Sequence, residues 1–327
     1  MLYFISSSNL PAFNLACEEY LLKNYEEDFF FLYSNKPALI VGKHQNTLAE
    51  INLEKAEQEK VPVVRRLSGG GTVFHDEGNL NYCFITKGEK GKLVDFKKYS
   101  SPIIDTLQKL KVNAKFEGKS DLTIDGKKFS GNASHVYRNK VMQHGTMLFS
   151  SDLKRLNQLL KVNPLKFKDR GVRSIRSRVT NISDSLSSRI SLSNFADLII
   201  EEVKLKFPKA QEFVLDEKDV QKIELLMAEK YNNWDWNYGY SPNYLFEKLS
   251  NFPGGAILEI KMQIVKGIIQ NVDLDGNCIQ FDQISDFQTK LIGSLHNKST
   301  ILKQLSSISI DSYFKNISLN QLVSAFF

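Results

Sequence analysis

The stretch from Val61 to Thr86, VPVVRRLSGGGTVFHDEGNLNYCFIT, constrains the fold of this chain more than any other. Three apolar, β-branched or aromatic runs are separated by SGGG and DEGN, so three strands joined by glycine-bearing turns are expected. Sheet pattern extends to either side. Leu2–Ser6 reads as a strand, DFFFLYSN and PALIVGK read as two more split by Asn35 and Pro37, and Ala114–Ser150 reads as further strands with Asp125–Gly126 as a hairpin turn. Helical spacing fills the intervals. It appears at Asn9–Tyr25 (Leu15, Glu18, Glu19, Leu22), Leu53–Lys60, Phe96–Leu110, Ile190–Phe207 and Asp216–Lys230, with Phe195, Leu198, Ile199 and Val203 expected on one face. The expected fold class is therefore α+β, with mixed β-sheets flanked by helices.

The segment Tyr231–Tyr244, YNNWDWNYGYSPNY, has neither regular period, and a domain junction is placed just beyond it. A large domain, 1–244, precedes a small α+β domain, 245–327, which opens on alternating strands (AILEIKMQIVKGIIQNVDLDG) and ends in two or three short helices. No repeat of fixed period and no low-complexity tract is visible.

With 327 residues, 42% apolar, the chain can bury a sizeable core. Cys17, Cys83 and Cys278 are far apart and odd in number, which fits neither a disulfide framework nor a zinc site. The first residues lack a basic segment ahead of an apolar one, and no long uncharged apolar run occurs, so a cytoplasmic protein without a membrane span is expected. The net charge of +6 favours anionic ligands, acidic partners or nucleic acid without choosing among them. Lys166–Arg178 (KFKDRGVRSIRSR) concentrates six basic residues against Asp169 alone.

Several residues carry candidate chemistry. Gly69, Gly70 and Gly71, after Arg65, Arg66 and Ser68, form either a plain hairpin turn or a backbone able to approach an anion closely, with an arginine as bidentate donor. Lys128, in KKFSGNAS after the Asp125–Gly126 turn, reads either as a solvated surface lysine or as an ammonium able to hold a carboxylate and a phosphate together. His75 and His144 read either as donors to a ligand carboxylate or as satisfied structural histidines, and none of the five histidines has HExxH spacing. Neither GxSxG nor a cysteine beside a glycine-rich turn announces a nucleophile, which favours activation of an acid by ATP over a covalent acyl-enzyme.

Taken in order, RRLSGGGTVFHDEGNLNYCFI, KKFSGNAS, QHGTMLF and SIRSRVTN resemble the bacterial lipoate–protein ligase A family from about Asn9 through the WDWNYG stretch. By position and size, residues 245–327 resemble that family's C-terminal accessory domain. The resemblance implies a catalytic domain similar to that of biotin protein ligases and a reaction in two halves. Lipoate attacks the α-phosphate of ATP with magnesium present, and an acceptor lysine then attacks the lipoyl-adenylate. Carried over by motif, Arg66, Gly71, Thr72, Val73 and Phe74 would hold the adenylate, and Lys128 would contact both lipoate and the α-phosphate as the catalytic residue. Ser68, Gly69, Gly70, His75 and His144 would line the lipoate end, and Asn79 and Asp121 would sit near the nucleotide, with Asp121 as a magnesium ligand. Two departures are Gln143 before His144, where the family often has two histidines, and Lys43, where it has arginine.

The implied partners are acceptor lipoyl domains of 2-oxoacid dehydrogenase complexes or the glycine cleavage H protein, and a monomer is expected. Such acceptors tend to be acidic, so the basic segment, with Arg173 and Arg176, is expected to steer them. Two rivals are an octanoyl or lipoyl transferase of the same fold working without ATP, and a ligand- or nucleic-acid-binding module. The first would need a suitably placed cysteine, and the second lacks aromatic–basic interleaving and a helix-turn-helix pattern.

Overall fold

The computed structural model describes residues 1–88, 93–160, 166–175, 177–280 and 284–327. In chain order its strands are β1 (Leu2–Ile5), β2 (Phe29–Ser34), β3 (Ala38–Val41), β4 (Val63–Arg65), β5 (Val73–His75), β6 (Asn79–Lys87), β7 (Ala114–Glu117), β8 (Asp121–Ile124), β9 (Lys127–Tyr137), β10 (Lys140–Leu148), β11 (Phe167–Asp169), β12 (Gln211–Glu212), β13 (Tyr244–Asn251), β14 (Ile257–Val265) and β15 (Ile268–Asp275). The helices that matter below are α1 (Pro11–Asn24), α2 (Thr47–Glu50), α3 (Leu53–Gln58), α4 (Phe96–Lys109), α5 (Leu153–Leu159), α6 (Leu192–Lys206), α7 (Glu217–Leu226), α8 (Ile284–Leu291), α9 (Lys298–Leu305) and α10 (Leu319–Ala325).

The chain divides into two compact units, and not at a single point. The first takes Met1–Lys43, Lys55–Leu160 and Ser174–Asn233; the second takes His44–Glu54, Lys161–Arg173 and Trp234–Phe327.

The first unit is built on an eight-stranded mixed sheet in the order β12-β1-β2-β6-β10-β9-β8-β7. Its central strand β2, FFFLYS, does not alternate, because both faces are covered: Phe30 and Leu32 enter the cluster with α4 and α6, while the Tyr33 hydroxyl reaches Glu18 on α1. In α6, Phe195, Ile199 and Val203 are buried as the spacing predicted, but Leu198 is 40% exposed. Ala196 and Ile200 complete the buried stripe instead, which centres it on the side away from Leu198. The three strands read from Val61–Thr86 exist but split: β4 and β5 flank β3 in a separate three-stranded sheet, whereas β6 joins the large one. The segment between β5 and β6 thus crosses from one sheet to the other within this unit.

The second unit is a four-stranded antiparallel sheet, β11-β13-β14-β15, with α8, α9 and α10 sealing one face through Leu258, Ile260, Phe287, Ile301 and Leu322. The β14–β15 hairpin turns at Lys266 and Gly267, both at positive φ (51° and 76°), as a two-residue turn compatible with the strand twist requires. A side chain on Gly267 would come within 2.5 Å of Trp234, so the aromatic-rich segment packs directly over that turn. That segment is not irregular: Asn232 N–H reaches Met227 O and Tyr240 N–H reaches Asp235 O, the five-residue spacing of π-helical turns.

Candidate active site

Arg66 follows β4 and is buried. Its Nε donates to Ser68 Oγ (3.0 Å), one Nη to Ile40 O (3.0 Å), and the other to Gly69 O (2.6 Å) and Gly71 O (2.7 Å). The guanidinium therefore braces the glycine turn from inside, and burial draws its pKa down to about 10. Because a trans peptide sets N–H opposite C=O, drawing the Gly69 and Gly71 carbonyls toward Arg66 turns the N–H groups of Gly70 and Thr72 away from it. Gly70 takes φ +86°, a conformation that a side chain would strain, and Thr72 N–H is met by Ser174 Oγ at 2.9 Å. Val73 and Phe74 continue into β5, where the Phe74 ring is buried core 5.5 Å from the Arg155 guanidinium, so only its backbone faces any ligand at the turn.

Behind the turn lies a buried hydrogen-bonded relay. Ser68 Oγ is 2.5 Å from His144 Nε2, His144 Nδ1 is 2.8 Å from Glu18 Oε1, and the Tyr33 hydroxyl donates to the same carboxylate oxygen at 2.9 Å. Sheet register makes this meeting possible: Phe31 pairs with Cys83 and Cys83 with His144, so all three share a face with Tyr33, under α1. His75, at the end of β5, places Nδ1 2.9 Å from Asn35 Nδ2, while its Nε2 is buried with no partner among the described residues. Burial first, then the Arg66 charge and His144, lowers its pKa to about 3, so the ring is neutral. Asn79 is buried as well. Its Nδ2 donates to Asn81 Oδ1 at 2.9 Å, and its own Oδ1 has no partner among the described residues.

Lys128 owes its direction to a bulge. Thr123 pairs with Lys128 and Leu122 with Ser130, leaving Phe129 as the extra residue, and the slip puts Lys128 on the same face as Asp121 and Gly131. The ammonium lies 2.9 Å from Asp121 Oδ1, over Gly131, whose added Cβ would stand 3.0 Å from Nζ. Lys128 N–H donates to Arg178 O and Thr180 N–H to Lys128 O, so residues 178–180 run beside this lysine. β9 also approaches the glycine turn: a Cβ on Gly70 would lie 4.0 Å from that of Ala133.

Thus Arg66, Ser68, Gly69, Gly70, Gly71, Thr72, His75 and His144 form one neighbourhood, Lys128 and Asp121 form a pair on the β8–β9 ribbon, and the Phe74 side chain turns inward. The sequence reading missed Glu18, Tyr33, Asn14 and Asn35 as site-supporting residues; for Glu18 and Asn14 the available signal was an asparagine and two adjacent glutamates set among the apolar residues of α1. Among the described residues no cluster of three or more His, Cys, Asp or Glu could hold a metal. Cys17 and Cys83 are fully buried and their thiol pKa values are pushed up by burial, which leaves neither suited to nucleophilic attack.

Arg173 is not a free cation of the basic segment. It binds Asp169 (3.0 Å) and Phe167 O (3.1 Å), with Glu50 at 3.8 Å, and the Asp169 side chain is fully buried. Arg176 lies outside the described residues.

A two-sheet unit with a braced glycine turn and a lysine-bearing ribbon is the architecture of a lipoyl ligase-type catalytic domain, and the model of the lipoyl protein ligase A/B catalytic domain matches residues 10–204. The model of the bacterial lipoate protein ligase C-terminus matches residues 241–326. Lipoate–protein ligase 1 of Staphylococcus aureus is 38% identical over 324 residues, covering 98% of each chain. The chain belongs to the lipoate–protein ligase family. Among solved structures, P. falciparum LipL1 in complex with lipoate aligns with a TM-score of 0.63 at 22% identity, over 99% of this chain and 98% of that one. Lipoate-protein ligase A bound with ATP aligns at 0.61 and 22% identity, over 73% and 97%.

Proposed function

We propose that this protein activates lipoate with Mg-ATP, releasing pyrophosphate, and transfers the lipoyl group from lipoyl-AMP to a lysine of an acceptor lipoyl domain or H protein, releasing AMP. The observation that carries this reading is Lys128, an ammonium with a 29% exposed side chain that a bulge and a glycine aim outward and a carboxylate steadies. When lipoate's carboxylate approaches the α-phosphate, two anions must meet. Lys128 offsets that repulsion and stabilises the charge that grows on the phosphate oxygens. The Gly70 N–H, turned away from Arg66, supplies a fixed dipole for the same anions, at no reorganisation cost because Arg66 already holds the turn. Two related structures, one in complex with lipoate and one bound with ATP, support both substrates.

Magnesium fits as an ion that enters on the nucleotide's phosphates. Such an ion takes one or two protein carboxylates, and Asp121, with Oδ1 held by Lys128, has one oxygen to offer. Acceptor recognition falls to exposed cations. Arg170 and Arg178, both exposed, are better candidates than the internally paired Arg173.

The test is lipoate-dependent pyrophosphate release. Lys128→Ala should lower it by about 100-fold or more, as loss of an electrostatic stabiliser does, with the melting temperature unchanged. Release that does not depend on lipoate, or survives the substitution, would sink this reading.

A further inference from the structure

The neutral tautomer of His75 follows from a chain of side-chain amides. Asn14 Nδ2 lies 2.9 Å from Ser8 O, a carbonyl that can only accept, which fixes that atom as the nitrogen; its Oδ1 correspondingly accepts from Ser6 Oγ at 2.7 Å. The same Nδ2 lies 2.8 Å from Asn35, so the Asn35 atom there must be the acceptor Oδ1. Asn35 therefore turns its Nδ2 donor toward His75 Nδ1. The His75 nitrogen that faces a donor must carry the lone pair, and the proton resides on Nε2. That Nε2–H is buried and has no partner among the described residues, in a neighbourhood with Arg66 and His144. An unpaired buried donor is costly in the absence of a ligand and rewards an acceptor that arrives.

We propose that Asn35, itself oriented by Asn14, is a positioning residue that locks His75 as an Nε2–H donor for the bound acyl acid. The inference rests on the reading that this unit binds lipoate. A backbone carbonyl, Ser8 O, is thus connected through two amides to a single proton on an imidazole. Neutral imidazole in a fixed tautomer donates without adding charge beside Arg66, whereas a free ring would spend part of its time with the wrong nitrogen forward.

Nitrogen-15 NMR of histidine-labelled full-length protein at pH 7 tests the tautomer directly. Nδ1 of His75 should show an unprotonated signal and Nε2 a protonated one; protonated Nδ1 would overturn the proposal. Adding lipoate alone should shift the Nε2–H resonance, and no shift overturns the role. Asn35→Asp replaces the donor by an acceptor. It should move the proton to Nδ1 and raise KM for lipoate about tenfold, the worth of one hydrogen bond, with KM for Mg-ATP within about twofold; an unchanged lipoate KM overturns it. Should that variant fail to fold, His75→Gln, which keeps a donor, should retain lipoate KM within about threefold while His75→Leu loses about tenfold. Equal losses would mean the ring matters only for its shape. If lipoate shifts the resonance but no pyrophosphate is released, the ligase reading fails and the Asn14–Asn35–His75 chain stands as a positioning device.

Discussion

Gly131→Ala would set a methyl 2.9 Å from Lys128 Cε and 3.0 Å from Nζ. The obstructed group is the far end of a flexible side chain, so the fold should tolerate the change within about 0.5 kcal/mol while the ammonium leaves its place. Pyrophosphate release should fall about tenfold or more, since a 1 Å misplacement is costly in a preorganised site. Thermal unfolding and turnover measured together check this; full activity would mean that Lys128 acts from another position. The sequence suggested Lys128 as a functional group but not its aim, because the bulge exists only in the pairing of β9 with β8. Glu18 shows the same limit. Its place at helical spacing was legible, whereas its partner His144 comes from 126 residues away, and no local pattern announces such a pair.

At the scale of elements, strands and helices were largely readable because period and turn chemistry are local. Asp125 and Gly126 both take positive φ (48° and 72°), as the hairpin dipeptide predicted. What escaped was the non-local part: β11 joins the second sheet by pairing Phe167 with Phe246 across the chain, and three residues carry too little pattern to declare themselves a strand. In the second unit, buried His296 ties elements together, accepting from the Tyr244 hydroxyl at Nδ1 (2.7 Å) and donating from Nε2 to Phe326 O (2.7 Å). Burial lowers its pKa from 6.5 to about 4, so the unfolded chain takes up a proton that the folded unit refuses. Stability is therefore full above the unfolded pKa and is lost as pH falls from about 6.5 toward 4, by up to about 3 kcal/mol. The two tryptophans, Trp234 and Trp236, both lie in this unit, so tryptophan fluorescence in urea at pH 7.0 and 5.0 reports on it. His296→Gln should flatten the dependence, and an unchanged slope in the variant would assign it to other groups.

At the scale of the whole molecule, the net charge of +6 acts on encounter rather than on chemistry, so the two half-reactions should respond differently to charge and salt. Adenylate formation uses small substrates and a lysine held by short-range contacts. Transfer needs a second protein to arrive, and an acidic one is drawn to exposed cations over about 8–10 Å at physiological salt. Arg173 is a poor place to test this, since reversing its charge would leave buried Asp169 facing another anion and destabilise the second unit. Arg170→Glu and Arg178→Glu, at exposed positions, isolate the steering effect. Together they should slow lipoyl transfer to an acidic lipoyl domain about tenfold at low salt, with the deficit shrinking as salt rises, while lipoate-dependent pyrophosphate release stays within about twofold of the native rate. A transfer rate unaffected at low salt would place acceptor recognition elsewhere on the surface, and a matching loss in pyrophosphate release would mean that these arginines serve the nucleotide instead.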